Sequence, residues 1–174
     1  MKAMTVAVLI LASTAALAQS RYAGMQTRPI KALSDQQVAD LAAGRGIGLA
    51  LAAELNGYPG PSHVLELADK LELSAEQRAS VQTLFDSMKA EAIPLGAKLI
   101  EQEAALNELF ARRSVTPESL KASTSIAATT QGALRETHLK YHLQMVALLT
   151  PAQMRRYAEL RGYGEQPHTM HHPH

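Results

Sequence analysis

Apolar residues return along much of this chain at three- and four-residue steps, the period of an α-helix with one buried face. The longest stripe begins at Val81, Leu84, Phe85 and Met88 and continues through Ala92, Leu95 and Leu99 to Leu106, Leu109 and Phe110. A second runs through Leu120, Ile126, Ala127, Leu134, His138, Tyr141, Met145 and Leu148. Ser74 with Gln77 three residues later is a capping-box start for the first helix, and Thr116 followed by Pro117 is a start for the second. Helices of about 40 and about 33 residues follow, an arm roughly 50 to 60 Å long at 1.5 Å per residue. A tight turn near Val115 makes them antiparallel neighbours and lays His138 to His142 beside Lys89 to Ile93. Pro94 and Gly96 interrupt the first stripe, and Pro94 is expected to kink the helix near Ala90 because it cannot donate to the carbonyl four residues back.

The flanks are shorter pieces. Residues 19–33 show no sustained period and read as a flexible lead-in. Ser34 and Gln37 form a capping-box pattern that opens a short helix near Asp35. The run Gly44-Arg45-Gly46-Ile47-Gly48 lacks a preceding strand and the glycine spacing of a dinucleotide loop, so it reads as a helix break or a close-packing site. Leu49 to Leu55 looks helical and apolar, Asn56 to Pro61 is a stop, and Ser62 to Leu71 is a compact helix with His63 in its first turn. Past the second long helix, Thr150, Pro151 and Gln153 repeat the capping pattern, and a terminal helix from Ala152 to Leu160 stops at Gly162. The domain reading is therefore a leader at 1–18, an extension with short helices at 19–61, a hairpin domain at 62–161 and a disordered, His-rich tail at 162–174.

Composition agrees with an all-α fold. Of the 174 residues 47% are apolar but only 4% aromatic, with no Trp, and a core of Leu, Ala, Ile, Val and Met suits packed helices. That length fits one domain. Lys2, the apolar run Val6 to Leu17 and Ala16-Leu17-Ala18 form a secretory signal with a cleavage site before Gln19. The run is shorter than the ~20 residues that span a bilayer, so a cleaved leader and a periplasmic location are expected rather than an uncleaved anchor. Removing the leader takes only Lys2 from the 17 cations, leaving 16 against 16 carboxylates and no electrostatic footprint for nucleic acid. There is no cysteine, which excludes disulfides and thiolate metal sites; any metal must be held by His, Met, Asp or Glu.

Two L-[ST]-x-x-Q elements, Leu73-Ser74-Ala75-Glu76-Gln77 and Leu149-Thr150-Pro151-Ala152-Gln153, stand at the two ends of the hairpin. In that setting the chain resembles the LTxxQ proteins of the bacterial periplasm. That group includes the Spy/CpxP chaperones, the zinc-resistance-associated protein and the periplasmic heavy-metal-resistance sensors. The resemblance covers about residues 62–161, departs from the consensus by Ser74 in place of Thr, and does not explain residues 19–61. It implies a helical hairpin, often dimeric, acting as an ATP-independent holdase or as a metal sensor.

The residues themselves offer one chemical constellation. His138 and His142 are four apart on one helix and project from one face, with Met145 one turn further on. Imidazole suits zinc, copper, nickel and cobalt, and a thioether suits copper(I), so a divalent transition metal is the expected cofactor and no organic cofactor is expected. His63 is the first candidate for a third ligand, because its helix should fold back over the hairpin; Glu91 is the second, because hairpin register sets it level with the pair. The competing account makes His138 a core histidine of the Leu134, Tyr141 and Met145 stripe. His168, His171, His172 and His174 in the tail would bind divalent metals weakly. His-Leu-Lys-Tyr-His lacks the Glu of an H-E-x-x-H protease, and neither a serine elbow nor a cysteine nucleophile is present, so catalysis is not expected.

Three functions are consistent with this. The first is a periplasmic metal-binding protein of heavy-metal resistance or sensing, and the second is a holdase that presents an apolar surface to unfolded envelope proteins. The third is a helical scaffold that partners an envelope protein through residues 35–61, and a membrane signalling protein is a further candidate partner of the chain. A single antiparallel pair leaves one face uncovered, so either the short helices fold over it or a second subunit does, which makes a homodimer the expected assembly.

Overall fold

The computed structural model describes residues 22–163, and among them every regular element is helical. Six α-helices follow one 3-10 turn at Met25–Thr27: α1 Asp35–Ala42, α2 Leu51–Glu54, α3 Pro61–Glu66, α4 Ala75–Ala111, α5 Pro117–Leu148 and α6 Pro151–Arg161. The two long helices have 37 and 32 residues and pack on each other as an antiparallel hairpin. Arg113 turns the chain between them in a left-handed conformation (φ 54°), and Ser114 N–H returns to the Leu109 carbonyl, which closes the last turn of α4. The expected register holds: Tyr141 Oη donates to Glu91 Oε1 at 2.8 Å, and Lys140 pairs with the same carboxylate.

The helix starts expected at Ser34, Ser74, Thr116 and Thr150 are present as full capping boxes, whereas α2 and α3 begin without a side-chain cap. Ser34, Ser74 and Thr150 each accept from the N–H three residues on, while Gln37, Gln77 and Gln153 reach back to the cap N–H. The two motif glutamines do more. Gln77 Nε2 donates to Gln153 Oε1 at 2.9 Å and Gln153 Nε2 donates to Gln77 Oε1 at 3.0 Å. Each also reaches across to the other segment, Gln77 to the Leu148 carbonyl and Gln153 to that of Leu71. The L-[ST]-x-x-Q pair is thus a clasp that joins the starts of α4 and α6, and a glutamine is needed because the amide must accept from its own cap and donate across.

Two apolar clusters sit along the hairpin. One gathers Leu33, Leu41, Ala92, Leu99, Ala127 and Leu134; the other gathers Val64, Leu71, Val81, Met145, Leu149 and Tyr157. The short N-terminal elements cover the hairpin face in the first cluster, with α1 lying on α4. Gly96 permits this: a Cβ there would sit 2.2 Å from the Leu41 carbonyl oxygen. The stripe that Gly96 interrupts in the sequence is therefore the seat of α1, and α4 runs on through Pro94.

Three expectations are revised. Residues 28–33, read as part of a flexible lead-in, lie on α4, where Asn107 accepts from the Lys31 N–H and donates to the Pro29 carbonyl and Leu33 is buried. Helix α3 stops at Glu66; residues 67–72 are turns that end with Glu72 at φ 51°, although Ala68 and Leu71 are buried as their apolar character requires. The Leu49 to Leu55 segment is helical only over the single turn Leu51–Glu54. Residues 1–18, read as a leader, and the histidines of the tail lie outside the described residues. No helix among the described residues is long and apolar enough to cross a membrane.

Candidate functional site

A cavity of about 560 Å³ opens between the extension and the hairpin, where the glycine-rich loop after α1, the start of α3 and the facing sides of α4 and α5 meet. His138, His142 and His63 all line it, as does Glu54 from α2. The extension left unexplained by sequence is thus the roof over the His pair.

His138 is 4% exposed and its Nε2 is buried with no hydrogen-bond partner. Gly46 lies over its ring so closely that a Cβ would be 3.2 Å from three of the ring atoms. Burial first, and then the neighbouring His142, lower its pKa below the ordinary histidine value, so at neutral pH it is an uncharged imidazole. An unpartnered buried ring nitrogen costs about 1–3 kcal/mol, and His138 Nε2 shares the lack of a hydrogen-bond partner with Gln102 Oε1 and Arg161 Nε among the described residues.

One turn on, His142 is 7% exposed and its Nδ1 stands 2.6 Å from the Tyr58 carbonyl oxygen. Only a donor can face a carbonyl, so Nδ1 carries the proton and, in the neutral ring, Nε2 carries the lone pair. Gly60 covers this ring as Gly46 covers the other, for a Cβ there would lie 2.8 Å from Cε1 and 3.0 Å from Nε2. His63, at the rim with its side chain 37% exposed, stands with Nδ1 3.3 Å from Glu54 Oε1. That contact directs its Nε2 away from the carboxylate.

Glu54 is the residue that sequence reading missed. It is 5% exposed and receives Tyr157 Oη at 2.5 Å and Tyr163 Oη at 3.3 Å on Oε1, and the Gly60 N–H at 3.2 Å on Oε2. Burial pushes its carboxyl up, but hydrogen bonds from His63 and Tyr157 and the charges of His63 and His142 outweigh that and hold it at about 2. The available signal was a lone carboxylate inside the apolar run Leu49 to Leu55, since a charge in such a run must be paired when buried.

Of the five candidate ligands, the structure brings His138, His142 and His63 to one cavity and places the other two elsewhere. Glu91 is level with the pair, as register requires, but its carboxylate is engaged by Lys140 and Tyr141. Met145 is fully buried in the second apolar cluster, beside Val64 and Val81. No three His, Asp or Glu side chains among the described residues are gathered as an ion would need them; His138, His142 and Glu54 are among the residues that line the cavity, with His63 on the exposed rim.

Residues 38–156 match the heavy-metal resistance family, a span that takes in α1 through most of α6. The chain belongs to that family. The match agrees with the paired L-[ST]-x-x-Q elements and extends the likeness into the extension, since it begins at Val38, inside α1. No curated protein and no solved structure matches the chain. Membership in the heavy-metal resistance family gives the two buried imidazoles a chemical context.

Proposed function

We propose that this member of the heavy-metal resistance family is a periplasmic metal-binding protein, of resistance or sensing type, rather than an enzyme. His138 and His142 would hold a divalent transition-metal ion, zinc, copper, nickel or cobalt, inside the cavity, with His63 closing from the rim. One observation carries the reading: a buried His138 with an orphaned Nε2 stands one helical turn from a His142 whose Nδ1 is fixed by a backbone carbonyl. Metal-ligating histidines have their second nitrogen held in this way. Neutral imidazole is the ligand form, and the lowered pKa of His138 keeps it available near neutral pH. Export, if residues 1–18 act as a leader, would put the site where incoming metal is met first.

The test is zinc titration of the full chain carrying alanine at His168, His171, His172 and His174, so that the tail contributes nothing. His138→Ala/His142→Ala in that background should weaken zinc binding by at least about 100-fold; unchanged affinity would remove the reading. The holdase alternative is favoured by exposed apolar side chains on the distal half of the hairpin, Phe110 at 55% and Ile126 at 53%. It requires suppression of client aggregation without nucleotide, and Phe110→Ser/Ile126→Ser should abolish that.

A further inference from the structure

The carboxylate of Glu54 touches both the cavity and the C-terminal helix. On the cavity side, His63 Nδ1 is 3.3 Å from Oε1, while the Gly60 N–H at 3.2 Å and His142 Nδ1 at 3.9 Å face Oε2. On the other side, Tyr157 Oη and Tyr163 Oη donate to Oε1, and Arg161 Nε is 3.5 Å from it. Helix α2 is a single turn without a side-chain cap, so Glu54 is held by these partners rather than by its own helix.

We propose that Glu54 is a positioning residue that fixes which nitrogens of His63 and His142 face the cavity and couples cavity occupancy to the docking of α6. The inference rests on the reading that the cavity takes a transition-metal ion. A carboxylate that accepts from Nδ1–H sets the tautomer and raises the basicity of Nε2, the outer-sphere role that ligating histidines require. Glu54 offers this to His63 through the 3.3 Å ion-pair contact between Oε1 and Nδ1. For His142 it acts through the Gly60 N–H, which pins the loop carrying Tyr58 and Gly60 against the ring. Tyr157 and Tyr163 in turn fix the rotamer of Glu54 from α6 and the residue pair that follows it. Docked α6 therefore favours a site ready for metal, and by reciprocity an occupied site must favour docked α6 by the same factor.

Glu54→Gln is the isosteric probe. The amide has one acceptor oxygen where the carboxylate uses two, so either the Gly60 N–H or the Tyr157 and His63 donors lose their partner. Tyr157→Phe keeps the buried ring and removes only the hydroxyl that holds Glu54. In the full chain with the four tail histidines replaced by alanine, zinc alone is titrated, and hydrogen exchange of residues 151–163 is followed with and without zinc. Glu54→Gln should bind zinc about 10 to 100-fold more weakly and Tyr157→Phe about 10-fold more weakly. Zinc should slow exchange across α6 in the parent chain, and that slowing should vanish in both variants. A merely structural role for Glu54 would change exchange in the absence of zinc but would not erase its zinc dependence. The inference is overturned if zinc leaves α6 exchange unchanged in a parent chain that binds it, or if both variants keep the parent affinity. If Glu54→Gln loses helical circular dichroism, the Tyr157→Phe result decides. A parent chain that binds zinc no better than His138→Ala/His142→Ala would instead defeat the metal reading itself, and this inference with it.

Discussion

Gly96→Ala should destabilise the protein while Gly132→Ala stabilises it, although both replace a glycine within a long helix. Helix propensity alone favours alanine by about 1 kcal/mol at each site. At Gly132, on an exposed part of α5, nothing lies within 4 Å of the added Cβ, so the propensity gain of about 0.5–1 kcal/mol should appear in full. At Gly96 the Cβ would stand 2.2 Å from the Leu41 carbonyl oxygen and 2.8 Å from its carbon. Both are backbone atoms at the end of α1, so no side-chain rotamer relieves the clash and α1 must move off α4 by about 1 Å or more. Overpacking of this kind costs about 1–3 kcal/mol, and the larger end applies because the displaced helix also carries Leu41, which is 1% exposed. Net of propensity, a loss of about 2 kcal/mol is expected, or roughly 4–8 °C in Tm for a chain of this size. Urea and thermal unfolding of the two variants side by side measure it. Because the glycine-rich loop follows α1 directly, Gly96→Ala should also loosen the roof over His138 and weaken zinc binding. The reasoning fails if Gly96→Ala is as stable as the parent, or if the two variants shift in the same direction.

The same geometry sets further outcomes. Glu54 has a folded pKa of about 2 against an ordinary 4.5, so its stabilisation is fully present above pH 4.5 and is lost as pH falls toward 2. It amounts to about 3 kcal/mol, and urea midpoints of the parent should fall below pH 4.5 more steeply than those of Glu54→Gln; parallel profiles would contradict this. The lowered pKa of His138 acts earlier: the unfolded chain gains a proton first, so stability should decline as pH drops below about 6.5, and His138→Leu should remove that decline. His138→Leu should also raise stability at pH 7 by about 1–2 kcal/mol, since it replaces an unpartnered polar nitrogen with an apolar group, while abolishing the proposed zinc binding; a less stable variant would show that Nε2 is satisfied after all. Gln77→Ala and Gln153→Ala should be non-additive, with a coupling of about 0.5–3 kcal/mol in a double-mutant cycle, and strict additivity would dissolve the clasp. Met145→Ala should cost about 2–5 kcal/mol of stability yet leave zinc affinity within twofold, as suits a packed core residue and not a ligand.

The hairpin, its register and the Ser34, Ser74 and Thr150 capping boxes were legible because each depends on local rules: a 3.6-residue period, a cap and a short turn; at Thr116 the cap was legible and its Ser119 partner was not. The register alone placed Glu91 opposite Lys140 and Tyr141. What sequence periodicity does not carry is which groups along that register are already engaged, so Glu91 looked available while two donors from α5 hold its carboxylate. Met145 was legible as a member of the buried stripe, but the stripe serves two environments, a dry cluster at Met145 and a cavity at His138 and His142, and helical spacing cannot tell them apart. The role of the extension was illegible for another reason. Its meaning lies in glycines at 46, 60 and 96 whose missing side chains let backbone approach two imidazoles and a carbonyl, and an absent Cβ leaves no periodic mark. Likewise the end of α3 at Glu66 depends on the need to turn the chain back into the Ser74 cap, while the apolar residues beyond it stay buried in non-helical backbone.

The hairpin by itself would present His138 and His142 as two solvated side chains on an open helix face, where water satisfies both rings and a pair of histidines binds metal only weakly. The extension changes their chemistry. By laying Gly46 and Gly60 on the rings it removes water from them, and by offering the Tyr58 carbonyl it fixes one tautomer. The same segment brings in Glu54, a carboxylate at the cavity margin, whose other contacts reach α6. Desolvation strengthens any charge that enters such a space, because the surrounding medium screens it less. The cost is a buried nitrogen without a partner and a carboxylate that must be paired on every side, both of which a leucine-filled groove would avoid. A leucine-filled groove would cover the hairpin with less loss of stability, so what the polar roof adds to this fold is the chemistry of the cavity rather than stability.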